Sequence, residues 1–191
     1  MKWLDTVLQR WRGAVARRWI PRGACVLDIG CHQGEFLRGL GNHLGIGIGV
    51  DPLATPASGR RWNLIRDCFP PANPFPPASF DTIVMLATLE HMQDKVELAL
   101  ECHRVLRPGG RIILTVPSLW VDPIVEVLVQ FKLVDGMSLD QHHGYDPSET
   151  QGLFQAHGFT LLRRKLFQMG LNHLFVFSKR VTDDVAAIQP R

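Results

Sequence analysis

The 191 residues suit one domain, and 46% hydrophobic with 20% charged residues is the composition of a chain able to bury a full core. No apolar run approaches the ~20 residues that a bilayer-spanning helix needs, so no transmembrane segment is expected. The net charge of +3 sits at the N-terminus, where residues 1–22 carry Lys2, Arg10, Arg12, Arg17, Arg18 and Arg22 against Asp5 alone; the remainder is slightly acidic, which argues against a general nucleic-acid binder.

Within the first 20 residues, Trp3, Val7, Trp11, Val15 and Trp19 recur every four positions, with Leu4 and Leu8 beside them and arginines flanking the stripe. This predicts an amphipathic helix over residues 1–20 that covers the core. A basic, Trp-rich helix also suits peripheral contact with an anionic membrane or a lipid-linked substrate. Trp3, Asp5 and Arg10 interrupt the apolar block that a secretory signal requires. Cys25, Cys31, Cys68 and Cys102 have no C-x-x-C pairing and read as free thiols of a reducing cytoplasm, with neither a disulfide frame nor a zinc site.

After Pro21-Arg22-Gly23 breaks the helix, residues 25–29 form a short apolar run that reads as a buried strand. The chain turns at Gly30 and Gly34 and enters a helix marked by Phe36, Leu37 and Leu40. A strand, a glycine turn and a helix make a nucleotide-binding crevice, since glycine lets the backbone approach a ligand closely. The spacing here is Asp28-x-Gly30-x-x-x-Gly34, unlike the G-x-G-x-x-G dinucleotide fingerprint. An acid at the strand end repels a pyrophosphate and suits a ligand that carries a cation.

Gly45, Gly47 and Gly49 alternate along a second strand packed against a close neighbour, and that strand ends at Asp51, 23 positions after Asp28. An acid at this distance can accept both hydroxyls of a ribose. Residues 53–62, with Pro56, Ser58 and Gly59, read as a short or irregular crossover. Residues 63–66 read as a third strand leading to Asp67-Cys68, and residues 70–77 as a rigid proline-rich loop beside the ligand. A fourth strand spans 80–86. Asp94 and Glu97 form a capping box for a helix to Leu106, with Met92, Val96, Ala99, Leu100 and Leu106 facing inward. Arg107-Pro108-Gly109-Gly110 breaks it before a fifth strand over 111–116. Residues 122–134 read as a helix and 135–145 as a loop with Asp140, His142, His143 and Tyr145. Asp146-Pro147-Ser148-Glu149 starts a helix that ends at Gly158, and residues 159–167 and 172–178 read as a closing strand pair.

The Asp28-to-Gly34 turn, Gly49-Val50-Asp51-Pro52, Asp67-Cys68, Phe80-Asp81-Thr82-Ile83, Leu89-Glu90-His91 and the Leu106-to-Arg111 turn stand in the order and spacing of one family. Over residues 26–118 the chain resembles the class I S-adenosylmethionine-dependent methyltransferases of the type 11-like kind, with His32 in place of the middle glycine of D-x-G-x-G-x-G. The resemblance implies an α/β, Rossmann-like, doubly wound fold: a mostly parallel seven-stranded sheet with an antiparallel C-terminal strand and an N-terminal amphipathic helix. It implies a single domain, with 1–22 as cover helix, 23–118 as cofactor core, 119–180 as substrate side and closing strands, and 181–191 as a tail. The cofactor would be S-adenosylmethionine, whose ammonium and sulfonium suit Asp28. Gly30, Cys31, His32 and Gly34 would wrap its methionine end, Asp51 with Pro52 would hold the ribose, Asp67 and Cys68 would flank the adenine, and Leu86 and Ala87 would face the methionine portion.

The catalytic candidates are His91, His142 and His143, because histidine titrates near neutrality and each is expected on a loop over the ligand edge of the sheet. No spacing rule supports a metal site among Glu90, His91, His142 and His143. The expected activity is methyl transfer to a small-molecule or a glycan- or lipid-linked acceptor in the cytoplasm, with no nucleic-acid partner. The alternative is a partner module that keeps the cofactor fold without catalysis. An NAD-linked oxidoreductase is opposed by Asp28 and by the missing G-x-G-x-x-G.

Overall fold

The structure is a computed structural model in which residues 3–118 and 145–181 are described. Its elements are α1 (Trp3–Arg17), β1 (Cys25–Ile29), α2 (Glu35–Leu40), β2 (Ile46–Val50), β3 (Ala57–Ser58), β4 (Trp62–Ile65), β5 (Phe80–Leu86), α3 (Lys95–Val105), β6 (Leu106–Pro117), α4 (Glu149–Ala156), β7 (Phe159–Phe167) and β8 (Asn172–Lys179). Short 3-10 turns stand at Gly41–His43 and Leu89–His91. The eight strands form one sheet in the order β3-β4-β2-β1-β5-β6-β8-β7. From β4 to β6 the neighbours are parallel, whereas β3, β8 and β7 join antiparallel.

Side chains alternate across each strand and divide the core into two layers. Leu27, Ile29, Ile83, Met85, Leu114, Phe175 and Phe177 face α3 and α4, while Val26, Val84, Ile113, Leu174 and Val176 face α1 and α2. Helix α1 covers its layer as expected, but not with the whole predicted stripe: Val7 and Trp11 are exposed, and Ala16 is buried in their place. Gln168 Nε2 donates to the Leu8 carbonyl at 2.8 Å, Arg111 Nη1 donates to the Trp19 carbonyl at 3.1 Å, and Ala16 and Ile20 are buried. The glycines of β2 seat α2 low on the sheet. A Cβ on Gly47 would lie 2.9 Å from Leu37 Cδ2, and one on Gly49 would lie 2.6 Å from Cys31 Sγ.

The structure departs from the sequence expectation in three further places. The crossover over 53–62 doubles back, with the Gly59 N–H donating to the Trp62 carbonyl at 2.8 Å, and contributes β3 as an eighth, two-residue edge strand. Strand β6 begins at Leu106, not at 111. Phe80 pairs with Leu106 and Thr82 with Arg111, so Arg107-Pro108-Gly109-Gly110 loops out opposite Asp81 alone. Asp81 secures that excursion: Oδ1 accepts from Arg107, and Oδ2 accepts the Cys25 N–H at 2.7 Å. Helix α3 is capped by Asp94 as expected, its Oδ1 accepting the Glu97 N–H at 2.8 Å. Its buried face, however, is Leu98, Ala99, Cys102 and Val105, while Val96 and Leu100 are exposed. Two apolar stripes overlap in this helix, and the layer built with Phe154 and Phe159 takes the one that continues into Leu106.

Asp146 caps the start of α4, its Oδ1 accepting the Ser148 N–H at 2.8 Å. The four thiols are free, with Cys31 and Cys102 buried. The expected helix over 122–134, the loop carrying Asp140, His142 and His143, and the tail beyond 181 lie outside the described residues.

Candidate cofactor site

Strand order runs outward from β1 to β2 and β4 on one side and from β5 to β6 on the other, so the topological switch lies between β1 and β5. Open α/β sheets bind ligands at the carboxyl ends of the strands beside such a switch. There β1 delivers Asp28 and turns at Gly30, whose φ is +75°. A Cβ at Gly30 would stand 2.3 Å from Thr88 Oγ1, so glycine is required both by conformation and by the close approach of the segment after β5. The Gly30 N–H donates to the Val50 carbonyl at 2.9 Å, binding the turn to β2. Cys31 is buried, and that burial, with the carboxylates of Asp28 and Asp51, pushes its thiol up to about 12; it is a packing group and not a nucleophile.

His32 occupies the left-handed region at φ +49°, which preserves the turn despite the missing glycine. Its backbone N–H donates to Asp51 Oδ2 at 2.8 Å, and its ring Nδ1 lies 3.3 Å from Glu35 Oε1. Asp51 Oδ1 accepts the Leu53 N–H at 2.7 Å, so one carboxylate joins the glycine turn to the loop carrying Pro52. Gln33 repeats that connection: its Nε2 donates to the Leu53 carbonyl at 2.9 Å and its Oε1 accepts the Thr55 N–H at 3.2 Å. Asp67 closes the far side, accepting the Cys68 N–H at 2.8 Å and the Ala72 N–H at 2.9 Å, and so fixes the start of the proline-rich loop. Leu86 ends β5, and Ala87 follows at φ +56° with its N–H donated to the Thr115 carbonyl at 3.0 Å.

The structure therefore gathers Asp28, Gly30, Cys31, His32, Gly34, Asp51, Pro52, Asp67, Cys68, Leu86 and Ala87 along one edge of the sheet. His91 joins them at the end of its 3-10 turn, exposed, with its N–H donated to the Thr88 carbonyl at 3.1 Å. His142 and His143 lie outside the described residues. Sequence reasoning missed Gln33 and Thr88, whose roles depend on loops distant in sequence, and it gave Glu90 no role of its own. The described residues contain no group of three or more His, Cys, Asp or Glu side chains placed to hold a metal ion.

Two carboxyls give the site its electrostatic character. Asp28 is only 2% exposed, and its Oδ2 has no hydrogen-bond partner among the described residues. Burial, with the carboxylates of Asp51 and Glu35, raises it to about 7. Three carboxyls around one glycine turn favour a ligand bearing a cation and oppose a pyrophosphate, which matches the ammonium and sulfonium of S-adenosylmethionine. Glu90 is 4% exposed, and burial raises it to about 7 against the opposing pull of its backbone hydrogen bond and the Arg12 and Lys95 cations.

A doubly wound sheet with an acid–glycine turn after β1 and an acid at the end of β2 defines the Rossmann-like methyltransferase fold. The chain belongs to the methyltransferase domain family, whose profile matches residues 3–164. It is 42% identical over 101 residues to a probable S-adenosylmethionine-dependent methyltransferase of Mycolicibacterium smegmatis, covering 50% of this chain and 39% of that protein. It is 31% identical over 102 residues to a ubiquinone biosynthesis O-methyltransferase of Pseudomonas aeruginosa, covering 49% and 44%. These matches span less than half the length of either relative. The solved structure of a Burkholderia thailandensis 1,6-didemethyltoxoflavin-N1-methyltransferase, with 1,6-didemethyltoxoflavin and S-adenosylhomocysteine bound, has the same fold. Its TM-score is 0.69 at 21% identity, over 94% of this chain and 81% of that one.

Proposed function

We propose that this chain transfers a methyl group from S-adenosylmethionine to a small-molecule or a glycan- or lipid-linked acceptor. The observation that carries this reading is the carboxylate of Asp51, tied to the glycine turn through His32 and to the following loop through Leu53. That arrangement pre-positions a ribose acceptor beside a cation-seeking turn. The family membership and the relatives named for S-adenosylmethionine and for ubiquinone biosynthesis support the same reading.

When bound, S-adenosylmethionine supplies an electrophilic methyl on a sulfonium that departs as a neutral thioether. Asp51, whose oxygens each take one backbone N–H, would accept the ribose hydroxyls, with Pro52 beside it. The backbone of Gly30, Cys31, His32 and Gly34 surrounds the methionine end, and Asp28 supplies negative charge beneath it. Asp67 and Cys68 border the adenine, while Leu86 and Ala87 border the methionine portion. Holding acceptor, methyl and sulfur in line is worth about 7–11 kcal/mol of barrier. A hydroxyl or ammonium acceptor also loses a proton, and His91, His142 and His143 are the bases proposed to take it, a contribution of about 10²–10⁴ in rate. The free thiols fit a reducing cytoplasm, and no described helix is long and apolar enough to cross a membrane.

The test is calorimetric titration with S-adenosylhomocysteine beside Asp51→Ala, followed by transfer of a labelled methyl group to a panel of phenolic and lipid-linked acceptors. Binding that Asp51→Ala weakens about 100-fold or more, together with transfer, supports the proposal. No binding by folded wild type overturns it. Binding without transfer favours the partner module, a reading kept in view by His32 standing where the family motif has glycine.

A further inference from the structure

Two stretches distant in sequence contain no acid: residues 6–27 and residues 150–181. Together they hold ten of the 21 Lys and Arg residues and none of the 18 Asp and Glu residues. The fold joins them. Gln168, in the β7–β8 turn, donates to the Leu8 carbonyl of α1 at 2.8 Å. That turn stands at the ligand edge of the sheet, because Asn172 pairs with Pro117 at the end of β6 and Ser118 donates to the Leu171 and Gly170 carbonyls at 2.9 and 2.6 Å. Arg111, six residues before Pro117 on β6, holds Trp19. Helix α1 thus descends from the ligand edge across one face of the sheet.

The outward stripe of α1 is Val7, Arg10, Trp11, Ala14 and Arg17, all exposed and spaced to share one helical face, and the exposed Arg18 follows at its end. Val7 and Trp11 are 45% and 43% exposed, and Met169 at the tip of the adjoining turn is 90% exposed. On the neighbouring edge strand, Arg163 and Lys165 pair with Val176 and Leu174, whose side chains lie in the layer that α1 covers. Both cations therefore project on the α1 side. Arg164 is drawn over the Phe175 ring in the other layer, and Lys179 bonds carbonyls of His103 and Leu106, so these two are not part of the face.

We infer that α1, the exposed side of β7 and the β7–β8 turn form one face that docks on an anionic lipid bilayer. Four cations (Arg10, Arg18, Arg163 and Lys165) would meet the headgroup phosphates, Arg17 being turned to the Gly39 carbonyl at 3.2 Å, and Trp11, Val7 and Met169 would enter the interfacial region. The apolar tips favour a bilayer over a nucleic acid, because a phosphodiester backbone offers them nothing to enter, whereas arginine and tryptophan on one helix suit a lipid interface. The turn at the ligand edge places the site beside the bilayer, so a lipid-embedded acceptor would reach it without crossing water; that last consequence rests on the proposed function, whereas the docking does not.

Co-sedimentation with phosphatidylglycerol–phosphatidylcholine vesicles and with pure phosphatidylcholine vesicles tests the docking. The expected result is binding to the anionic vesicles alone, released by salt. Arg163→Gln with Lys165→Gln should weaken it about 30-fold, since each cation at an anionic surface contributes about fivefold. Trp11→Ser and Met169→Ser should each weaken it while S-adenosylhomocysteine titration stays at the wild-type value. That titration reports the fold and the cofactor site separately, and Met169→Ser, on the more exposed residue, serves if Trp11→Ser loses it. Equal binding to neutral vesicles, binding indifferent to these substitutions, or retention on duplex RNA without vesicle binding would each overturn the inference.

Discussion

Asp28→Asn should make the protein more stable and a poorer binder of its cofactor. In an unfolded chain this carboxyl ionises near its ordinary value of 3.8, whereas in the fold burial and the Asp51 and Glu35 carboxylates raise it to about 7. Between those values the unfolded state releases a proton that the folded state keeps. Rising pH therefore destabilises the wild type, by about 4 kcal/mol in total, and the loss levels off above about pH 7. Asparagine removes that dependence. The gap in unfolding free energy between variant and wild type should widen by about 2–3 kcal/mol from about pH 5 to about pH 8, because the remaining groups cancel in the comparison. Urea unfolding at both pH values measures the gap. The same substitution deletes the buried negative charge that draws the ligand's cation, so S-adenosylhomocysteine should bind the variant about 10–100-fold more weakly. A gap that stays constant with pH, or undiminished binding, would refute the electrostatic account of the site.

Glu90→Gln follows the same sign, because burial raises Glu90 from 4.5 to about 7: its stability gap over wild type should widen with pH by about 2–3 kcal/mol, read by the same unfolding series. Gly30→Ala places a Cβ against Thr88 at φ +75° and should cost about 2–5 kcal/mol of stability, part of which Thr88→Ala should restore in thermal melts. His32→Gly relieves a left-handed histidine while keeping the N–H donated to Asp51; stability should rise by about 1 kcal/mol with S-adenosylhomocysteine affinity unchanged in calorimetry.

The legible features were those encoded by neighbouring residues. The β1–turn–α2 unit, Asp51 at the end of β2 and the Asp94 cap each arise from a few adjacent positions, and they stand where the sequence put them. The inner face of α3 differs from the expectation because Val96 and Leu100 begin an apolar stripe that His103 and Arg104 end, whereas Leu98, Cys102 and Val105 continue along the helix and pack in the layer of Phe154 and Phe159. Pro108, Gly109 and Gly110 signal a break, yet strand pairing resumes beyond them, with Asp81 holding Arg107 at the start of their excursion. Gln33 carried no periodicity, and its value depends on the carbonyl and N–H of a loop some twenty residues on.

The missing side chains of β2 set a height. At Gly47 and Gly49 the space a Cβ would need is already filled by Leu37, Leu44, Cys31 and Leu64, so α2 and the turn before it rest directly on the strand. Any side chain at either position would act as a shim beneath the helix. Lifting it would stretch the 2.8 Å contact between the His32 N–H and Asp51, which depends on the turn lying this close to β2. The depth of the cofactor cradle is thus gauged from below, by two residues of the strand beneath the turn. A tolerant-looking glycine strand is the place where small volume changes should register in stability and in cofactor affinity together.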